Sequence, residues 1–446
     1  MTDEQQPWEK LLRDLFGDQA DDALAEMQRM GMDPATLAQA AGVGSNPGML
    51  DHLLQQLRAL MAQSEGQDVN WELAHDVARG VAAQGGDPTI TAAVAAEYRA
   101  AVSAAELWLD AATDYAPATG QPHVWARAQW VEATLPTWRH LAGPVAVSVS
   151  QALGGLLSRE SADADGTEQS LMRQVSPTVC GMHVGQAAGT LATESFGGTD
   201  LGLLLLPEPR VALVPSAIEK FGEGLDVPVE QLRQFVALRE AAHVRLFKHA
   251  PWVTSQLHAA IAKYAAGVTI DPAELDEAVR QAAGGDPASL QKALSRGIFV
   301  TEPTDEQRAI LAQIESLLAL VEGWVETVVT RAGAAHLPAI GALTELMRRR
   351  RAAGGPAEDT FANLLGLELR PRRLRDAAAM FAALEAAGGM EERDGFWSHP
   401  DLLPSAEDLT DWKAWLARRA DDSAPSDLDR EIEALLDADN DISDES

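Results

Sequence analysis

The sequence predicts a mainly helical fold with one small β-sheet, on three observations. Alanine is abundant, aromatic residues are only 5% of the chain, and β-branched residues rarely cluster, all of which favours helix over strand. Apolar residues recur at spacings of three and four along most of the chain, the period of a helix that buries one face. Only Thr199 to Ser216 reads as strand, with short apolar runs at Leu201–Leu206 and Arg210–Val214 divided by Pro207-Glu208-Pro209.

With 446 residues, 46% of them hydrophobic, the chain can bury a large core. A formal net charge of −32 argues against a nucleic-acid backbone or an anionic membrane as the main partner, and is compatible with a peptide or protein ligand. A single cysteine, Cys180, excludes an intramolecular disulfide framework. Met1 to Lys10 lacks the apolar core of a signal peptide, and the aliphatic run Leu203–Leu206 is too short to span a bilayer, so a cytoplasmic location is expected.

Taken in order, residues 1–65 read as an N-terminal helical appendage, with Leu11, Leu12, Leu15 and Phe16 in one amphipathic helix and Leu53, Leu54, Leu57 and Leu60 in another. From Trp71 to Leu157 helix follows helix, with breaks expected at Gly85-Gly86-Asp87-Pro88, Ala116-Pro117 and Gly143-Pro144; Asp87 before Pro88 has the form of an N-cap and N1 pair. Gly181, Gly185 and Gly189 recur every fourth residue and clear one helix face of side chains. Each such glycine costs about 1 kcal/mol against alanine in a helix interior, so another backbone is expected to pack against that face. The helix around Arg239 is the expected neighbour.

That central helix is predicted over about Pro228 to His249, ended by Ala250-Pro251. Leu232, Phe235, Val236, Ala242, Leu246 and Phe247 form its apolar stripe, with Arg239 and His243 near the middle and Glu240 on the edge. Ionisable groups aimed at an interior must pair, accept hydrogen bonds or bind a metal. A helix with His, Glu and His at i, i+1 and i+4 would grip Zn²⁺ and place a general base beside it. Here the first of those positions is Arg239, which has no lone pair to donate, so the two-histidine grip is absent. Glu72 and His75 make a second Glu-x-x-His, and two such pairs belong to the ligand set of di-iron bundles.

Further on, Thr304-Asp305-Glu306-Gln307 opens a long helix to about Arg331, with Ile310, Ile314, Leu317, Val321 and Val328 inward and Glu322 towards the edge. Arg348 to Arg351 form a basic run, for which internal ion pairing is expected in so acidic a chain. From Asp421 to Ser446 an acidic, disordered tail is expected.

Several ordered segments together carry a resemblance: Phe196-Gly197-Gly198-Thr199-Asp200, Val214-Pro215-Ser216-Ala217-Ile218, Leu238-Arg239-Glu240-Ala241-Ala242-His243, Leu320-Val321-Glu322-Gly323-Trp324 and Gly366 to Arg375. The chain resembles the bacterial zincin-like hydrolases, commonly labelled zinc-dependent metalloproteases, with a sister branch labelled coenzyme F420 biosynthesis-associated. The resemblance covers roughly residues 70–415. It implies a helical zincin-like domain over that span, with the metal helix beneath a small sheet. It also implies a general base at Glu240 and zinc ligands at His243 and Glu322. Arg239 departs from the pattern, as does Trp324 where the sister branch has histidine.

A guanidinium in place of the first imidazole puts a fixed positive charge where Zn²⁺ would sit, able to bridge Glu240 and Glu322. The expected function is therefore that of a zincin-like protein with a degenerate Arg-Glu-x-x-His motif, weak or absent zinc binding and a non-catalytic binding or scaffold role. An active zinc peptidase with an unusual ligand set is the alternative, and a di-iron carboxylate protein a more distant one.

Overall fold

In a computed structural model, the structure describes residues 67–160, 167–267, 304–353 and 373–423, together with 360–362, 364 and 367. The N-terminal appendage, most of the segment between Tyr264 and Gly297, and the tail beyond Ser423 lie outside the described residues. Asp421 to Ser423, placed by the sequence in the tail, continue the last helix.

The fold is mainly helical, with a two-stranded parallel sheet. Helices α1 (Trp71–Ala82) and α2 (Ala92–Leu109) are followed by β1 (His123–Val124), α3 (Arg127–Glu160) and α4 (Thr167–Ala192). Then come β2 (Ala212–Leu213), α5 (Pro215–Gly222), α6 (Val229–His249) and α7 (Pro251–Ala266). After the break come α8 (Asp305–Gly333), α9 (Ile340–Ala353), α10 (Leu374–Gly395), α11 (Ala406–Thr410) and α12 (Trp412–Ser423).

Helix α6 is the core element. It packs against α2, α5, α7, α8, α9 and β2. Every residue from Phe235 to Phe247 is buried, so the predicted single stripe is in fact burial all round. Arg245, assigned to no stripe, is 1% exposed and is held by Glu106 Oε2 at 2.7 Å and Asp110 Oδ1 at 2.7 Å. Helix α8 begins as expected, with a capping box between Thr304 and Gln307. Gly323 follows Glu322 because α10 comes very close there: a Cβ would lie 2.6 Å from Ala377 Cβ and 2.7 Å from Ala378 N.

Four expectations need correction. The face formed by Gly181, Gly185 and Gly189 meets another backbone, but that backbone is α1, not α6; Cβ atoms there would fall 2.5–2.6 Å from the carbonyl oxygens of Asn70, Ala74 and Ala78. Spacing identifies a bare face and not its neighbour. The Gly143-Pro144 break is absent, because α3 carries Pro136 and Pro144 within it. Asp87 caps no helix next to it: its carboxylate accepts from Arg127 N at 3.0 Å and Ala128 N at 2.9 Å, starting α3, while α2 is capped by Thr91. Leu201–Leu206 is irregular rather than strand, and β2 pairs with β1, His123 opposite Ala212 and Val124 opposite Leu213. Pairs this short are fixed by neighbours and leave no period-two signature.

Candidate functional site

Helices α6 and α8 bring Arg239, His243 and Glu322 together although 79 residues separate His243 from Glu322. Arg239 Nη2 donates to Glu322 Oε2 at 2.5 Å. His243 Nε2 lies 3.2 Å from Glu322 Oε1, and its Nδ1 lies 2.9 Å from the Arg239 carbonyl one turn earlier. Both ring nitrogens thus face oxygens. A neutral ring has only one proton to share between these two contacts.

A second guanidinium completes the cluster, and sequence reasoning did not single it out. Arg351 Nη2 donates to Glu322 Oε1 at 2.7 Å and also to the Asp200 carbonyl oxygen. Asp200 in turn holds Arg350 through both carboxylate oxygens at 3.1 Å. The Arg350 guanidinium lies 4.2 Å from the centre of the Phe196 ring. Arg348 reaches Glu326 and Arg349 reaches Glu345. The expected internal pairing of the basic run is therefore what the structure has. The run itself was the only sequence signal for Arg351, since nothing local distinguishes it from its three neighbours.

Burial pushes the Glu322 carboxyl up, but Arg351, Arg239 and His243 outweigh it and hold the group well below the usual carboxylate range. Asp200 is likewise driven up by burial and brought below its usual value by Arg350 and Arg351.

Glu240 is directed elsewhere. Its carboxylate accepts from Gly198 N at 2.8 Å, Thr199 N at 3.3 Å and the Thr199 hydroxyl at 2.5 Å. The expected Arg239 bridge from Glu322 to Glu240 is not what forms; the second partner of Glu322 is Arg351. Adjacent helix positions point about 100° apart, so one guanidinium beside Glu322 does not also face Glu240. Burial raises the Glu240 carboxyl to about 7, the Thr199 hydroxyl and Gly198 amide oppose that rise, and the charge of Asp200 adds to it.

The Phe196–Asp200 segment thus has a physical role throughout. Gly197 must lack a side chain, because a Cβ would lie 2.4 Å from the Ala212 carbonyl oxygen and 2.6 Å from the Glu240 carboxyl carbon. The Gly197 carbonyl accepts from Trp130 Nε1 at 2.8 Å. Leu213 bridges to Gly197 in antiparallel sense, which anchors the segment to the sheet.

Other sequence candidates lie outside the cluster. Trp324 is buried and donates to Asp394 Oδ1 at 2.8 Å. Glu72 is exposed, and His75 pairs with Asp76 at 3.0 Å and Glu132 at 2.9 Å rather than with any residue of the Glu322 cluster, which gives the di-iron reading no support. Among the described residues, no group of three or more His, Cys, Asp and Glu side chains is arranged to hold a metal ion. Among those residues, too, no helix is long and apolar enough to cross a membrane.

A model of the zincin-like metallopeptidase family matches residues 69–416. A crystal structure from Chloroflexus aurantiacus described as "a putative hydrolase with a novel fold" has a similar fold, with 20% identity and a TM-score of 0.53, covering 79% of this chain and 99% of that one. No curated protein matches the sequence. The chain belongs to the zincin-like metallopeptidase family.

Proposed function

We propose that this member of the zincin-like metallopeptidase family has replaced the metal with arginine, binds zinc weakly or not at all, and acts as a binding or scaffold protein. A peptide or protein segment is the expected ligand. The observation that carries the reading is the state of Glu322: Arg239 holds one carboxylate oxygen, and Arg351 and His243 share the other. A zinc site generally needs three protein ligands with water in the fourth place. The mapped set offers His243 and Glu322, and the two arginines beside them have no lone pair to give. These residues do not fit Zn²⁺.

A second reading, an active peptidase with a different ligand set, is favoured by Glu240. Its carboxyl at about 7 falls in the range suited to a general base at neutral pH. Metal analysis of protein purified without added metal, followed by calorimetric titration with Zn²⁺, separates the two. Sub-stoichiometric zinc and weak binding are expected. Stoichiometric, tightly held zinc, with peptide hydrolysis lost in Glu240→Gln, would overturn the proposal in favour of the second reading.

A further inference from the structure

We propose that Arg351 is a second guanidinium lock on the zincin site, so that exclusion of divalent cations rests on two residues rather than on Arg239 alone. The inference rests on the metal-free reading above and assigns Arg351 a specificity-determining position within it.

The two oxygens of Glu322 carry different partners. Arg239 occupies Oε2. Arg351 occupies Oε1, 2.7 Å away, the oxygen that also faces His243 Nε2 at 3.2 Å. That nitrogen and that oxygen face each other, so an ion shared between His243 and Glu322 would lodge beside Arg351. Putting histidine at position 239 frees Oε2 and supplies an imidazole one turn from His243, but leaves a fixed positive charge on Oε1. Two cations a few ångströms apart in a buried setting repel strongly.

Arg351 has no easy route out of the way. Its side chain is 6% exposed, and the same Nη2 that holds Glu322 also donates to the Asp200 backbone carbonyl. The other arginines of the run are committed elsewhere: Arg350 to the Asp200 carboxylate, Arg348 to Glu326, Arg349 to Glu345. Arg351 is thus the member of the run that acts on the metal position.

The test uses the full chain as wild type, Arg239→His, Arg351→Gln and the double variant, titrated calorimetrically with Zn²⁺ and spectroscopically with Co²⁺, whose visible absorption reports coordination. Glutamine retains a donor for the Asp200 carbonyl while removing the charge. Wild type and Arg351→Gln are expected to bind weakly. Arg239→His should gain modest affinity, and the double variant should bind about 10- to 100-fold tighter than Arg239→His, the range through which groups hydrogen-bonded to metal ligands commonly act. Equal affinity in Arg239→His and the double variant would overturn the role of Arg351 and leave the metal-free reading of the wild type standing. Tight zinc in the wild type would overturn that reading instead. If the double variant is unfolded without metal, recovery of its helical circular dichroism on adding zinc is expected; no recovery overturns the inference.

Discussion

Glu322 and Glu240 are almost equally buried, at 2% and 4% exposure, and their carboxyls are driven in opposite directions. Around Glu322 stand two guanidiniums and an imidazole, which together outweigh the penalty of burial. Around Glu240 stand two backbone amides and a hydroxyl, which soften that penalty without cancelling it. Burial alone therefore says little about a carboxyl group. What decides is whether full charges or dipoles fill the surrounding space.

The largest effect that could break this comparison comes from Glu322→Ala. It would leave Arg239 and Arg351 facing each other without their anion, and loss of one partner from a buried pair costs about 3–5 kcal/mol. Urea unfolding at pH 7 should show a loss of that size. A loss under about 1 kcal/mol would mean that solvent or another anion compensates the arginines.

The two carboxyls also differ in their pH dependence. The folded value of Glu322 lies below its ordinary 4.5, so its stabilising contribution is present above about 4.5 and fades as pH falls through the lower folded value. The folded value of Glu240 lies above its ordinary 4.5, at about 7, so its contribution is present below 4.5 and is lost as pH rises to about 7. The size of that loss is up to about 3 kcal/mol. Glu240→Gln has no proton to lose, and its stability relative to wild type should improve between pH 5 and pH 7.5. Parallel stability profiles for the two proteins would show that Glu240 does not titrate in this window.

The smallest effect is expected at Arg349, whose side chain is 76% exposed and pairs with Glu345. Arg349→Ala should change stability by less than about 0.5 kcal/mol, as exposed pairs do. Thermal melting that showed a larger loss would mean that the basic run acts as one network, rather than as separately committed arginines.

The sequence made α6, its proline-marked end and the α8 capping box legible, because each depends on residues within a turn of one another. It also made Arg239 and His243 legible as interior groups. Glu322 was reached through the family resemblance; its carboxylate contacts depend on where α8 crosses α6, which no local pattern encodes. Arg351 and Asp200 were missed as members of the cluster for the same reason. Asp87 shows the limit sharply: the residue type correctly signalled a helix cap, but the helix it caps begins 40 positions later. Local chemistry indicates what a side chain can do, and tertiary packing chooses for whom.

The bare face of α4 has a consequence for alignment. Glycines at every fourth position lie over carbonyls at every fourth position of the facing segment, Asn70, Ala74 and Ala78. Such a pairing resembles two combs of equal pitch. A slide of one tooth, about 6 Å along the axis, would seat two of the three contacts again. Repetition alone therefore fixes closeness without fixing register. One contact that does mark the register is the Asn70 amide donating to the Pro177 carbonyl at 2.8 Å, at the start of the comb.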